Sequence, residues 1–352
     1  MIPTPPSVAE TKTVFRYKCR CGADEFLLLD AATARCARCL AAHRKSAGGV
    51  IDFLQQKTEQ NEYFDALYLA GHSHKRHEHS EESAPDYSET QGAESYLETC
   101  GFDLQEPLDN LSILEVACGS GRLTAELLQN TRIRNCTFHA FDASPHGPEL
   151  LARFEPSIRS SNRLETSVQD AQAMVFADAA FDVVLGRSVL HHFNDPEAFL
   201  RDCRRILKSG GVATFGEPFA VGYGLAAAVF RMAQKQVGTD HPALEDFCHD
   251  IAYRIQSRRE QLTPLVDKHL FFPSTLQSAA QQAGFSSVEF VSLYPYEYYR
   301  DEFIDDLLAE RRISDARLAE AAKTMYREIV DVFAADTLVH SMGAFVQIVL
   351  RA

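Results

Sequence analysis

The residues best placed by type and spacing to do chemistry lie between Leu111 and Asn130, in the stretch LSILEVACGSGRLTAELLQN. Ile113, Leu114 and Val116 form a short apolar run suited to a central parallel strand, with the acidic Glu115 near its end. Gly119 and Gly121 bracket Ser120 in a turn where a ligand can approach the backbone closely. From Leu123 onward, Leu123, Leu127 and Leu128 recur at helical spacing, so the N–H groups and dipole of a helix start face the turn. Carboxylates and phosphates are stabilised there, as in a nucleotide-type ligand site. A tight turn without a ligand would use the same glycines, and the rest of the chain has to decide between the two.

A second set is formed by cysteines. Cys19 and Cys21 make one knuckle and Cys36 and Cys39 another, separated by a strand-turn-strand pattern. That is the spacing of a zinc ribbon, in which four thiolates hold one tetrahedral Zn²⁺. The first pair is CxC instead of the usual CxxC, and His43, four residues beyond Cys39, is an alternative fourth ligand. Structural zinc contributes about 10–16 kcal/mol in short peptides near neutral pH, enough to replace a core. A closed four-ligand site is structural, so no zinc catalysis is expected. Four unrelated buried cysteines are the plain alternative. His72, His74, His77 and His79 also cluster, but in a polar tract without hydrophobic periodicity, which reads as a linker or lid.

The elements that must position these groups alternate. Residues 60–70 read as a helix with Tyr63, Phe64, Leu67 and Tyr68 on one face, a stripe typical of core. After the glycine turn, a strand from about Cys136 closes on Asp142, and a short strand leads to a loop at Asp170 and Ala171. Phe181 to Leu185 is a strand followed by a loop bearing Arg187, Ser188, His191 and His192. A helix capped by Asp195 is expected to stop at Gly210-Gly211, ahead of a strand ending at Glu217. Repeated βα units imply a doubly wound, mostly parallel sheet with ligands at the C-terminal strand ends. Helical insertions at 218–270 and 297–338 interrupt the alternation. They would cap a site or, equally, pack or form a homodimer. The expected division is a ribbon at 1–55, a helix and polar linker at 56–94, and a catalytic domain at 95–352.

Composition narrows the function classes. With 352 residues, 45% of them hydrophobic, the chain can bury a substantial core. A net charge of −14 disfavours a large nucleic-acid footprint, although residues 1–55 carry eight basic and five acidic side chains, a net +3. No apolar run is long enough for a membrane span, and the N-terminal residues lack a secretory pattern. A cytoplasmic location with reduced cysteines is therefore expected.

Glu115, Asp142, Asp170 and the segment HHFNDPEAFLRDCRRILKSGG together resemble class I S-adenosylmethionine-dependent methyltransferases, in particular the small-molecule branch of the type 11/25 kind. The resemblance covers roughly 95–295 and the last strand, and implies a seven-stranded Rossmann-like sheet. Ala117 stands where the usual loop has its first glycine, which makes a strained backbone there unexpected. By the same resemblance, the loop of Glu115, Ala117, Cys118, Gly119 and Gly121 would hold the methionyl part of the cofactor. Asp142, 27 residues after Glu115, would accept both ribose hydroxyls, with Ala143 beside it. Asp170 and Ala171 would face the adenine, and Arg187 and Ser188 the sulfonium. His191, His192 and Glu217 are the candidate bases for a hydroxyl, amine or acidic-carbon acceptor.

The leading expectation is a methyltransferase of specialised metabolism that turns S-adenosylmethionine into S-adenosylhomocysteine and carries structural zinc. The alternative is an RNA methyltransferase, because a zinc ribbon ahead of such a domain resembles the arrangement in some rRNA guanine methyltransferases. A non-catalytic cofactor-binding scaffold is the third reading.

Overall fold

The computed structural model describes residues 17–19, 21–23, 26–28, 32–54, 57–69, 92–154, 161–333 and 343–352. The histidine-rich tract at 72–79 and the linker to residue 90 lie outside the described residues. The strands are β1 (Phe26–Leu28), β2 (Thr33–Cys36), β3 (Ala42–Lys45), β4 (Ile51–Asp52), β5 (Leu108–Asp109), β6 (Ser112–Val116), β7 (Ile133–Arg134), β8 (Thr137–Asp142), β9 (Arg163–Val168), β10 (Phe181–Arg187), β11 (Leu207–Pro218), β12 (Ser287–Ser292) and β13 (Phe345–Arg351). The helices are α1 (Glu59–Leu69), α2 (Ala93–Thr99), α3 (Arg122–Gln129), α4 (His146–Phe154), α5 (Pro196–Ile206), α6 (Ala220–Val237), α7 (Pro242–Gln256), α8 (Arg259–Leu262), α9 (Pro273–Ala283), α10 (Tyr296–Asp301), α11 (Phe303–Glu310) and α12 (Ala316–Phe333). Contacts divide the chain into one unit of Met1–Ala70, Leu104–Val184 and Asp202–Gly211, and another of Gly71–Asp103, Leu185–Arg201 and Val212–Ala352.

In the first unit, β6, β8 and β9 are parallel, with Ile113 opposite Phe138 and Phe138 opposite Leu164. The apolar runs of β6 and β8 are buried almost throughout, as strands covered on both faces must be. Phe138, Phe141, Phe176 and Phe181 supply the bulk of this core. Asp182 of β10 accepts the backbone N–H of Ser112 at 2.8 Å and the Lys208 ammonium at 2.7 Å, fixing the start of β6.

The N-terminal segment adds strands that the expected seven did not include. β1, β2, β3 and β4 form an antiparallel meander, and β4 then pairs in parallel with β9, Ile51 opposite Ser167. Lys18 N–H to the Val175 carbonyl (2.6 Å) and Phe53 N–H to the Val168 carbonyl (2.9 Å) continue the attachment. Tyr17, fully buried, stacks on Phe176 at 5.8 Å and touches Phe53 at 4.8 Å. The ribbon-like segment thus shares the core of the first unit.

α5 starts as expected, with Asp195 accepting the Ala198 N–H at 2.9 Å and Pro196 in the first turn. It does not reach Gly210-Gly211. It ends at Ile206, and both glycines lie within β11. Gly210 has φ 76°, and a Cβ on Gly211 would sit 3.0 Å from the Asp182 and Lys208 carbonyl oxygens. These glycines let a strand kink and pass a neighbour closely; they do not stop a helix.

In the second unit, β13 lies between β11 and β12 and runs antiparallel to both. The two insertions are helical, and they pack on one another. Phe230 of α6, Phe247 of α7, Leu307 of α11 and Tyr326 of α12 share one buried cluster. Among the described residues no helix is long and apolar enough to cross a membrane.

Candidate active site

The glycine turn is built from the end of β6. Glu115 is 4% exposed and accepts both the backbone N–H of Thr124 (2.9 Å) and its hydroxyl, tying the strand to the first turn of α3. Burial is the main cause that pushes its carboxyl up to about 7, against the hydrogen bonds from Thr124. One oxygen of Glu115 therefore helps to hold the loop. Ala117 has φ 50°, so the expectation of an unstrained backbone is corrected: a left-handed alanine costs about 1–2 kcal/mol. The strain is imposed by the backbone bonds that follow, Cys118 N–H to the Phe141 carbonyl (2.9 Å) and Gly121 N–H to the Cys118 carbonyl (2.7 Å). The Cys118 thiol is buried beside Ala140 and Leu151, and burial pushes it well above its ordinary value, so it acts as an apolar filler. Gly119 and Gly121 have φ 56° and 78°.

Asp142 forms the floor. One of its oxygens accepts the Gly119 N–H and the other the Ser144 N–H, both at 2.8 Å. A carboxylate can accept about four hydrogen bonds, so acceptor capacity remains beyond these N–H groups. Burial raises this carboxyl to about 6, opposed by those N–H groups and assisted by the nearby Asp65. Asp170 caps the turn Ala171–Ala173 by accepting the Gln172 N–H at 2.9 Å, and Ala171 is buried.

The second unit brings together the three candidate bases. Glu217 is fully buried, and one of its oxygens accepts the Val189 and Leu190 N–H groups at 2.8 Å each. Its other oxygen takes the His191 N–H at 3.3 Å and the His191 ring Nδ1 at 2.7 Å. His191 Nε2 lies 3.6 Å from Asp267 Oδ1, and His192 Nδ1 lies 3.2 Å from the same atom. Burial works to lower the His191 value, but the partnership with Asp267 and Glu217 outweighs it and the net direction is upward. Ser188 has φ 57° and donates its N–H to the Gly216 carbonyl at 2.8 Å, which turns the chain from Arg187 toward these histidines.

Residues 114–215 match the family described as a methyltransferase domain. The matched methyltransferase segment runs from β6 into β11. Over 102 residues the chain is 34% identical to the malonyl-(acyl-carrier protein) O-methyltransferase of Haemophilus ducreyi, spanning 29% of this chain and 38% of that protein. Over 129 residues it is 33% identical to the ubiquinone biosynthesis O-methyltransferase of Dinoroseobacter shibae, spanning 36% and 48%. The chain thus spans less than half the length of these curated relatives. Among solved structures, phosphoethanolamine N-methyltransferase 2 of Haemonchus contortus is similar with a TM-score of 0.44 at 14% identity, over 74% of this chain and 52% of that one. That likeness is too loose to bear on the reaction.

Outside the matched segment, the four cysteines converge. Cys19 pairs with Cys39 and Cys21 with Cys36, each at 3.6 Å between sulfurs, and all four lie within 4.8 Å of one another. A tetrahedron of thiolates about a metal at about 2.3 Å has edges of about 3.8 Å, so the set fits zinc. His43 instead lies against the Phe53 ring at 4.9 Å.

Three contributors were not anticipated. A Cβ on Gly147 would lie 1.7 Å from the Gly119 carbonyl oxygen, so only glycine lets α4 approach the loop. Asp65 of α1 is ion-paired with Lys57 through one oxygen, while its buried Oδ1 has no hydrogen-bond partner among the described residues. Asp267 follows α8 in an insertion. None of the three stands in a local motif.

Proposed function

We propose that the protein is an S-adenosylmethionine-dependent methyltransferase acting on a small molecule. The observation that carries this reading is the Asp142 carboxylate, pinned by Gly119 and Ser144 N–H groups at the floor of a glycine turn within the matched segment. The residues suit the cofactor: a carboxylate with remaining acceptor capacity, a second one at Asp170, and the buried Asp65 Oδ1, which has no donor among the described residues. When bound, S-adenosylmethionine supplies a methyl group activated by a positively charged sulfur. Asp142 would accept the ribose hydroxyls, Asp170 and Ala171 would address the adenine, and the backbone from Ala117 to Gly121, with Ala143, would line the rest. Arg187 and Ser188 are kept as proposed contacts of the sulfur.

The acceptor would be handled by His191 and His192, with Glu217 as a positioning residue that fixes the His191 ring and the chain before it. The four cysteines would hold a structural zinc ion in a ribbon at 1–55, joined through 56–94 to a catalytic part at 95–352. The reading is tested by calorimetric titration of the full chain with S-adenosylhomocysteine, in which one equivalent is expected to bind. Absence of heat would sink it. Elemental analysis should find zinc, and a Cys36→Ser variant should lose it.

A further inference from the structure

His191, His192 and Asp267 carry a geometry that proton transfer alone does not require. One ligand atom from each, a ring nitrogen of either histidine and a carboxylate oxygen, lies within 4.8 Å of the others. The separation of 3.6 Å between His191 Nε2 and Asp267 Oδ1 is long for a hydrogen bond, and that of 3.2 Å from His192 is ordinary. Both bracket the edge of about 3.4 Å expected between nitrogen and oxygen ligands that share a tetrahedral ion at about 2.1 Å. The opposite nitrogen of His191 meets the fully buried Glu217 at 2.7 Å, the outer carboxylate that fixes tautomer and ring in metal-bound histidines. Asp267 is 42% exposed at its side chain, so the cluster has a wet side. The Val266 carbonyl oxygen, 3.1 Å from His192 Nδ1, is a competing partner that this nitrogen keeps only while it bears the proton.

We infer that His191, His192 and Asp267 are the three protein ligands of a divalent transition-metal ion whose open position takes an oxygen of the acceptor. Two imidazoles and one carboxylate suit zinc, cobalt or manganese, and three ligands with an open position are the pattern of reactive, not structural, sites. The ion would make a bound hydroxyl more acidic, lowering its pKa so that its proton leaves to water. Acceptors with a phenolic, enolic or hydroxy-acid oxygen are thereby favoured over amines. The ligand set stands by itself; the acceptor class rests on the methyltransferase reading.

The test is titration of the full-length protein with Co²⁺ after dialysis against a weak chelator that leaves thiolate-held metal in place. One equivalent should bind with visible ligand-field bands and without the near-ultraviolet thiolate band of a cysteine site. Asp267→Asn and His192→Gln should each weaken that binding at least tenfold while thiolate-held metal stays. No visible bands in the wild type, or unchanged affinity in both variants, would overturn the site. Intact bands in a protein that fails to bind S-adenosylhomocysteine would instead overturn the methyltransferase reading and its acceptor class, leaving the metal site standing.

Discussion

Two buried glutamates stand next to last in their strands and do different work. Glu115, in β6, accepts from Thr124 through one oxygen, and burial leaves its carboxyl up at about 7. Glu217, in β11, is met by three backbone N–H groups and a histidine ring. The first ties a strand to a helix and tolerates being neutral. The second has donors on both oxygens, and it aims a ring that can ligate or accept a proton. Residue type and strand position are shared; the number of donors separates the roles.

That contrast can be broken by substitution. Glu217→Ala strands three N–H groups and is expected to cost about 3–5 kcal/mol in urea unfolding, whereas Glu115→Ala should cost about 1–2 kcal/mol; equal losses would dissolve the distinction. Asp142→Ala should weaken S-adenosylhomocysteine about a hundredfold in calorimetry, about 2.7 kcal/mol. For the wild type the same affinity should fall as pH drops below about 6, where Asp142 takes up a proton.

Glu115 also makes a prediction with a sign. Its folded value of about 7 lies above the ordinary 4.5, so its contribution is full below about 4.5 and is lost as pH rises through 7. Stability of the ligand-free protein should decline across that window, by no more than about 1.4 kcal/mol per pH unit from this group. Glu115→Gln should flatten the decline, and an unchanged slope in melting temperature against pH would contradict the raised value. Smallest of all, Ala117→Gly should stabilise the protein by about 0.5–1 kcal/mol, because relief of a left-handed alanine exceeds the entropy glycine adds to the unfolded chain.

The strands and the glycine turn were legible because burial on both faces writes apolar runs, and a sharp turn writes glycine. The end of α5 was misread because Gly210-Gly211 also serves a strand that must kink and pass a neighbour. The strain at Ala117 was hidden because it is set by bonds reaching Phe141, not by the residue itself. Asp65, Gly147 and Asp267 reach their places by packing between elements distant in sequence. No spacing rule marks such residues.

The pairing of β4 with β9 has a meaning beyond architecture. Without it, β9 would offer an unpaired row of N–H and C=O groups to any passing chain, the template from which sheet proteins aggregate. The N-terminal segment covers the Ser167–Val168 end of that row and continues outward to β1, which is only three residues long. Removal of the small segment that brings the four cysteines together is therefore expected to show first as self-association, read by light scattering.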